Sequence, residues 1–176
     1  MKMLVIYASK SRTSAECAED FASMFNNLEV EVVDLVVKSP NIEEFDIIVI
    51  GSGVRMGRIP KHLSKFITQN KEVLLTKRIA FFLCTGSPER FDFYLENNIP
   101  EELRTVSVAF GNFGGSLDLA RFHGFERILV RMMRSSINNE EESDDESENR
   151  AMPAIIPENI SRFAEDIKRT IKEQNK

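Results

Sequence analysis

The chain has 176 residues, of which 42% are hydrophobic and 29% are charged, and its net charge is −5. This length and composition are typical of one globular domain that can bury a substantial core. Seven of the 28 acidic residues lie in the segment 140–148, which leaves 21 acids against 23 bases elsewhere, so the body is nearly neutral and no nucleic-acid partner is expected. No apolar run has the length of a signal peptide core or a membrane span, and we expect a cytoplasmic protein.

Four segments have the composition of buried strands, because they are short, apolar and rich in β-branched or aromatic residues. They are Met3–Tyr7, Val30–Asp34, Asp46–Ile50 and Ile79–Cys84, and a fifth predicted strand, Thr105–Phe110, follows a connection that contains a proline. The strands are apolar along their whole length and not only at alternate residues. This pattern indicates a parallel sheet with helices on both faces.

Helical patterns occupy the intervals, at Ala15–Phe25, His62–Gln69, Phe91–Asn97 and Ile160–Ile171. Thr13 and Glu16 have the spacing of a capping box at the start of the first helix. The alternation of strands and helices predicts an α/β fold, a doubly wound sheet of five parallel strands. Right-handed crossovers leave few topologies, and the order 2-1-3-4-5 is the common one.

The segment 111–157 is longer than a crossover to the last helix requires, and we interpret it as an insertion after strand 5 within the single domain 1–176. Residues 121–135 have the pattern of a basic amphipathic helix with Arg121, Arg127 and Arg131 on its substrate or membrane face. Two interpretations stay open, since such a helix can bind an anionic surface at the inner face of the membrane or simply pack on the domain. Residues 137–150 are predicted to form a mobile acidic loop or a docking segment for a basic partner.

Three loops follow strands 1, 3 and 4, whose carboxyl ends meet at the edge of an open parallel sheet where ligands bind. The first leads into a helix N-terminus, which attracts a phosphate, and the second contains three glycines in seven residues, which let the backbone approach a flat ligand. The glycine spacing GxGxxxG and the absence of a following acid argue against a dinucleotide site. The candidate binding residues are Ser9, Lys10, Ser11, Arg12, Thr13 and Ser14 in the first loop, Ser52, Gly53, Arg55, Met56 and Gly57 in the second, and Thr85, Gly86 and Ser87 in the third.

The run from Tyr7 through Ser14 resembles the FMN phosphate loop of flavodoxins, except that Arg12 stands where a small residue is usual. The segments 49–67 and 110–133 resemble the flavodoxin-type, menaquinone-dependent protoporphyrinogen IX dehydrogenases and their relatives. The resemblance implies that the first loop binds the FMN phosphate. It also implies that the second and third loops enclose the flavin ring, with Met56 where relatives often have an aromatic residue.

The resemblance further implies an FMN-dependent oxidoreductase, in which the cofactor performs the hydride or electron transfer and no protein residue acts as acid or base. A porphyrin-like substrate, with a quinone as acceptor, would suit the arginines of the predicted insertion helix. Two alternatives remain open: a small FMN electron carrier with a redox partner, and a non-redox adaptor of the same fold. The adaptor is considered mainly because Arg12 departs from the pattern of the FMN phosphate loop. No metal site is expected, and Cys84, with no second cysteine near it in sequence, is interpreted as a small buried hydrophobic residue.

Overall fold

A computed structural model describes residues 1–8, 12–115 and 155–173 of the chain. The predicted amphipathic helix at 121–135 and the acidic segment at 137–150 lie outside the described residues. The interpretation of 111–157 as an insertion therefore stays a prediction.

Five strands form one parallel sheet in the order β2-β1-β3-β4-β5, as predicted. The strands are β1 Lys2–Ala8, β2 Glu29–Asp34, β3 Ile47–Gly53, β4 Arg78–Cys84 and β5 Ala109–Asn112. The three central strands are buried almost throughout, because helices cover both faces of the sheet. This burial explains why their sequences are continuous apolar runs.

The helices lie between and after the strands. They are α1 Thr13–Ser23, α2 Lys61–Gln69, α3 Lys71–Leu74, α4 Phe91–Asn98, α5 Glu101–Val106 and α6 Pro157–Glu173, with a short 3₁₀ turn at Pro88–Arg90. The four predicted helices all exist, with boundaries that differ by up to a few residues. The capping box is wrong: Thr13 is already helical, the N-cap is Arg12, and no side chain caps this terminus.

The fifth strand was predicted too early in the chain. Thr105 and Val106 belong to α5, and the strand begins at Ala109. Pro100 stands before α5 with an extended backbone, and Glu101 and Glu102 follow in its first turn, where negative charge is favourable. Because Leu103 is completely buried, tertiary packing holds this short helix in place.

The core consists of two apolar layers, one on each face of the sheet. Leu4, Ile50 and Phe81 belong to the layer covered by α2, α4 and α5. Val5 and Phe82 belong to the layer under α1 and α6. Each fully buried aliphatic or aromatic side chain contributes about 1.5–3 kcal/mol, and neighbouring residues of a strand contribute to opposite layers.

Candidate cofactor-binding site

The topology creates a crevice at the carboxyl edge of the sheet, between β1 and β3. The chain leaves β1 toward β2 on one side and leaves β3 toward β4 on the other, which makes this position the switch point of the strand order. Ala8 pairs with Ser52, and Gly53 pairs with Cys84, so the three strands end level with one another. The structure thus brings the three predicted loops to one edge.

The N-terminus of α1 forms one wall of this crevice. Thr13 and Ser14 are 5% and 1% exposed, and the Ser14 hydroxyl has no hydrogen-bond partner among the described residues. The first intrahelical bond is donated by the Glu16 amide to the Arg12 carbonyl, and the amides before it have no partner within the helix. A buried hydroxyl without a partner among the described residues, beside amides that have none within the helix, is suited to an anion.

Arg12 has a left-handed backbone conformation, with φ 64° and ψ −19°. A side chain in this conformation costs about 1–2 kcal/mol, which glycine avoids. This cost is a physical reason for a small residue at this position in other phosphate loops. Arg12 is exposed, and the neighbouring candidates Ser9, Lys10 and Ser11 lie outside the described residues.

The residues Gly51–Gly53 were predicted to begin a loop, but they are the last three residues of β3. Gly51 is required by the core and not by a ligand, because a Cβ built on it would lie 1.8 Å from the ring carbon Cζ of Phe82. Ser52 is completely buried, and its hydroxyl donates to the carbonyls of Ala8 (3.2 Å) and Gly53 (3.0 Å). The Ser52 hydroxyl therefore ties the end of β1 to the end of β3.

A tight turn follows β3 at Arg55–Arg58. The amide of each of these two arginines donates to the carbonyl of the other, at 2.9 and 3.0 Å. Met56 and Gly57 between them have positive φ values of 50° and 74°, as in a type I′ turn. The Met56 side chain is 70% exposed at the tip, where its thioether is available to a flat ligand.

The turn is braced by α4 through Asn98, a residue that the sequence reasoning did not identify. The Asn98 amide group donates to the Gly57 carbonyl at 2.9 Å, and its side-chain oxygen accepts from the Ile59 amide at 2.9 Å. The Arg58 guanidinium also donates to the Asn97 carbonyl at 3.2 Å. No sequence motif indicated Asn98, because about forty residues separate it from the turn.

The third loop is short and closely packed. Thr85 is buried, and its hydroxyl accepts a hydrogen bond from the Ser87 amide at 3.1 Å, while Gly86 is exposed. Gly115, which follows β5, lies against this loop: a Cβ on it would be 2.9 Å from the Thr85 carbonyl carbon and 3.0 Å from the Gly86 nitrogen. No sequence motif indicated this contact, because Gly115 and the third loop lie far apart in the chain.

The two cysteines meet beneath the site, although they lie far apart in the sequence. Cys17 and Cys84 are both free and buried in the core layer under α1 and α6. A hydrogen bond with Cys84, together with burial, raises the pKa of the Cys17 thiol far above its ordinary value. The interpretation of Cys84 as a buried small residue agrees with its 5% exposure.

The surface around the crevice is basic and partly apolar. Arg12, Arg55, Arg58 and Arg90 are exposed in the segments that border it, and the same segments contain the acidic residues Glu16, Glu89 and Asp92. The Arg90 guanidinium lies 5.2 Å from the ring centre of Phe93, which is 49% exposed. The predicted substrate-facing residues Arg121, Arg127 and Arg131 lie outside the described residues. Within the part of the chain that the structure covers, no helix has the length and apolarity to cross a membrane.

Comparisons with known proteins agree with the fold. Residues 4–145 match the family model described as "Flavodoxin domain", and no curated protein sequence matches the chain. A flavodoxin from Streptococcus pneumoniae TIGR4 superposes with a TM-score of 0.54 at 14% identity, covering 97% of this chain and 99% of that chain. A flavodoxin from Fusobacterium nucleatum bound to flavin mononucleotide has a TM-score of 0.51 at 11% identity, covering 96% and 98%. At these identities the solved structures show a shared fold.

Proposed function

The chain belongs to the flavodoxin-domain family, and from this premise we propose that it binds FMN at the carboxyl edge of its sheet and transfers electrons through that cofactor. The observation that carries the proposal is the Ser14 hydroxyl, which is buried and has no partner among the described residues. An unpaired buried hydroxyl costs about 1–3 kcal/mol unless a ligand satisfies it.

The phosphate would lie at the N-terminus of α1. There the Ser14 hydroxyl and the amides of the first turn, which have no acceptor within the helix, would donate hydrogen bonds, and the helix dipole favours negative charge. The exposed guanidinium of Arg12 at the N-cap adds a positive charge. An adaptor that had lost the cofactor would have no use for the buried unpaired hydroxyl, which argues against that alternative.

The ring would lie between the Arg55–Gly57 turn and the Thr85–Ser87 loop. The turn follows β3, which borders the switch point, and the loop follows β4, the next strand in the sheet. The Val54 amide donates to the Cys84 carbonyl at 3.0 Å, which fixes the start of one loop against the start of the other. Bound FMN supplies hydride and single-electron chemistry. The protein residues hold it, orient it and set the polarity around its ring.

We propose further that the reaction partner is anionic and apolar, as a porphyrin with its propionates is. The four exposed arginines and the side chains of Met56 and Phe93 support this, since guanidinium groups pair with carboxylates and the apolar side chains contact a ring. An oxidoreductase resembling the protoporphyrinogen IX dehydrogenases, with a quinone as acceptor, fits this surface. The second candidate is an electron carrier, which is favoured by the fold shared over nearly the full length of small flavodoxins.

The first experiment is a visible absorption spectrum of the purified protein, before and after addition of FMN and removal of the excess. Flavin bands at about one equivalent are expected, and a protein that retains no FMN contradicts the proposal. The loaded protein is then mixed with protoporphyrinogen IX and menaquinone, and in parallel with a flavodoxin reductase. Turnover in the first mixture supports the dehydrogenase, whereas reduction in the second without turnover in the first identifies a carrier.

A further inference from the structure

We propose that Asn98 is a positioning residue for the cofactor, because it holds the turn at Arg55–Arg58 in the conformation that faces the flavin ring. This inference rests on the proposed binding of FMN. Asn98 is the last residue of α4, and its side chain makes three hydrogen bonds at once.

The three bonds join the turn to the helix. The Asn98 nitrogen Nδ2 donates to the Gly57 carbonyl at 2.9 Å and to the Tyr94 carbonyl at 2.8 Å. Its oxygen Oδ1 accepts from the Ile59 amide at 2.9 Å. The contacts on Gly57 and Ile59 lie on either side of Arg58, so one side chain fixes the chain as it leaves the turn.

The turn needs this support because its backbone is strained. Met56 has a φ of 50°, which is unfavourable for a residue with a side chain. Such conformations persist when surrounding contacts determine them. The Arg55–Arg58 backbone pair closes the turn on itself but does not fix where the turn lies, and Asn98 attaches it to the body of the protein.

The position of the turn affects the proposed FMN site. Met56 is 70% exposed at the tip of a turn beside the switch-point crevice, and the position of the tip depends on the Asn98 contacts. Groups beside a flavin tune its redox properties. Removal of the Asn98 side chain should therefore lower the affinity for FMN and change the midpoint potential of the bound cofactor.

Asn97 provides a matched control on the same turn of α4. Its Nδ2 donates to the Phe93 carbonyl at 2.7 Å, which is the same kind of bond that Asn98 makes with Tyr94. Among the described residues, the Asn97 side chain makes no hydrogen bond to the turn, and the backbone carbonyl that Arg58 contacts remains in Asn97→Ala. Each alanine variant thus loses one side-chain bond to the carbonyl four residues earlier in α4, but only Asn98→Ala loses the contacts with Gly57 and Ile59.

The test compares wild type, Asn98→Ala, Asn98→Asp and Asn97→Ala by FMN titration, midpoint potential and hydrogen exchange of the Arg58 amide in the protein without FMN. Asn98→Ala should bind FMN roughly tenfold more weakly, with a shifted potential and faster exchange, while Asn97→Ala should stay within about twofold of wild type by the same reasoning. Asn98→Asp keeps an acceptor for Ile59 but places a carboxylate against the Gly57 carbonyl, and it should bind at least as weakly as the alanine variant.

The outcomes separate the two proposals. Equal affinity, potential and exchange in Asn98→Ala and Asn97→Ala, in a protein that binds FMN, overturn the role of Asn98. A wild-type protein that takes up no FMN contradicts the proposed function, whereas faster Arg58 exchange in Asn98→Ala alone would still support the attachment of the turn.

Discussion

The ring of Phe82 fills the space directly above Gly51, so that a Cβ on Gly51 would lie 1.8 Å from Cζ and 2.0 Å from Cε1 of that ring. Both residues are in paired strands of the sheet, at the same register. Phe82 in turn stacks on Phe113, with 4.5 Å between ring centres, and contacts Phe163 of α6 edge-on. The glycine therefore allows an aromatic cluster to form beneath the candidate site.

Gly51→Ala should destabilise the protein strongly, because the new methyl group must displace the Phe82 ring from a packed core. Overpacking of this kind costs about 1–3 kcal/mol, which urea unfolding will measure. Gly53→Ala is the control on the same strand, since its Cβ would meet its nearest neighbour, Ser14 Oγ, at an ordinary 3.6 Å. Equal losses in the two variants would contradict the explanation of Gly51 by core packing.

Ser14→Ala should have opposite effects on the protein alone and on FMN binding. The hydroxyl has no partner among the described residues, so its removal should leave the stability of the FMN-free protein unchanged or raise it by about 1 kcal/mol. A hydrogen bond to a charged phosphate contributes about 1.5–3 kcal/mol, and the FMN dissociation constant should therefore rise at least tenfold.

The control for Ser14 is Ser23→Ala at the other end of α1. The Ser23 hydroxyl donates to the Asp20 carbonyl at 2.6 Å, so this variant loses a bond within the helix and nothing near the crevice. Thermal melts measure the stability of both variants without FMN, and titrations measure their FMN dissociation constants. Unchanged FMN affinity in Ser14→Ala would remove the observation on which the proposed phosphate site depends.

The Cys17 thiol predicts a loss of stability at alkaline pH. Its pKa is raised in the folded protein by the hydrogen bond with Cys84 and by burial, whereas in the unfolded chain a cysteine titrates near pH 8.5, about its usual value. Below that pH both the folded and the unfolded states bind the proton, and the contribution of the Cys17 thiol to stability is fully present. Above it only the folded state keeps the proton, so the free energy of unfolding falls by about 1.4 kcal/mol per pH unit.

The measurement is urea unfolding at intervals from pH 8 to about 9.5, below the range in which lysines and tyrosines titrate. Cys17→Ala changes the absolute stability by leaving a cavity, and so the slope with pH is the quantity to compare. The free energy of unfolding should fall less steeply with pH in the variant, by the contribution of one proton, which is about 1.4 kcal/mol per pH unit. Parallel slopes in the two proteins would mean that the Cys17 thiol ionises as readily in the folded state as in the unfolded chain.

Much of the fold could be predicted because parallel strands buried on both faces are visible as unbroken apolar runs. The order of the sheet followed from the alternation of strands and helices and from the handedness of crossovers. The fifth strand was misplaced because Val106, at the end of α5, and Val108 continue the apolar pattern of Ala109 and Phe110. The helix ends at Val106 and the backbone of Ser107 is extended, and the pattern of TVSVAF does not reveal this change.

The sequence predicted which loops form the candidate site but not which residues hold those loops in place. Strand ends and a helix N-terminus predicted three loops at one edge. In the structure the three strands that precede these loops end level with one another, whereas the contacts of the loops with FMN stay predictions. The roles of Asn98, Gly115 and the Cys17–Cys84 pair depend on contacts between segments far apart in the chain. Local spacing carries no signal for such contacts, and only the folded structure shows them.

Arg12→Gly separates the conformational cost of this residue from its charge. Glycine adopts a φ of 64° without strain, and the FMN-free protein should gain up to about 1 kcal/mol of stability after the entropy that glycine adds to the unfolded chain is counted. FMN affinity should fall several-fold at low salt and less at high salt, since ionic strength screens an exposed charge. Arg12→Asn tolerates the same conformation without the charge, and Arg12→Lys keeps the charge. If FMN binds equally well to all four proteins at low salt, the Arg12 guanidinium does not contact the phosphate, and the arginine is only a strained substitute for a small residue.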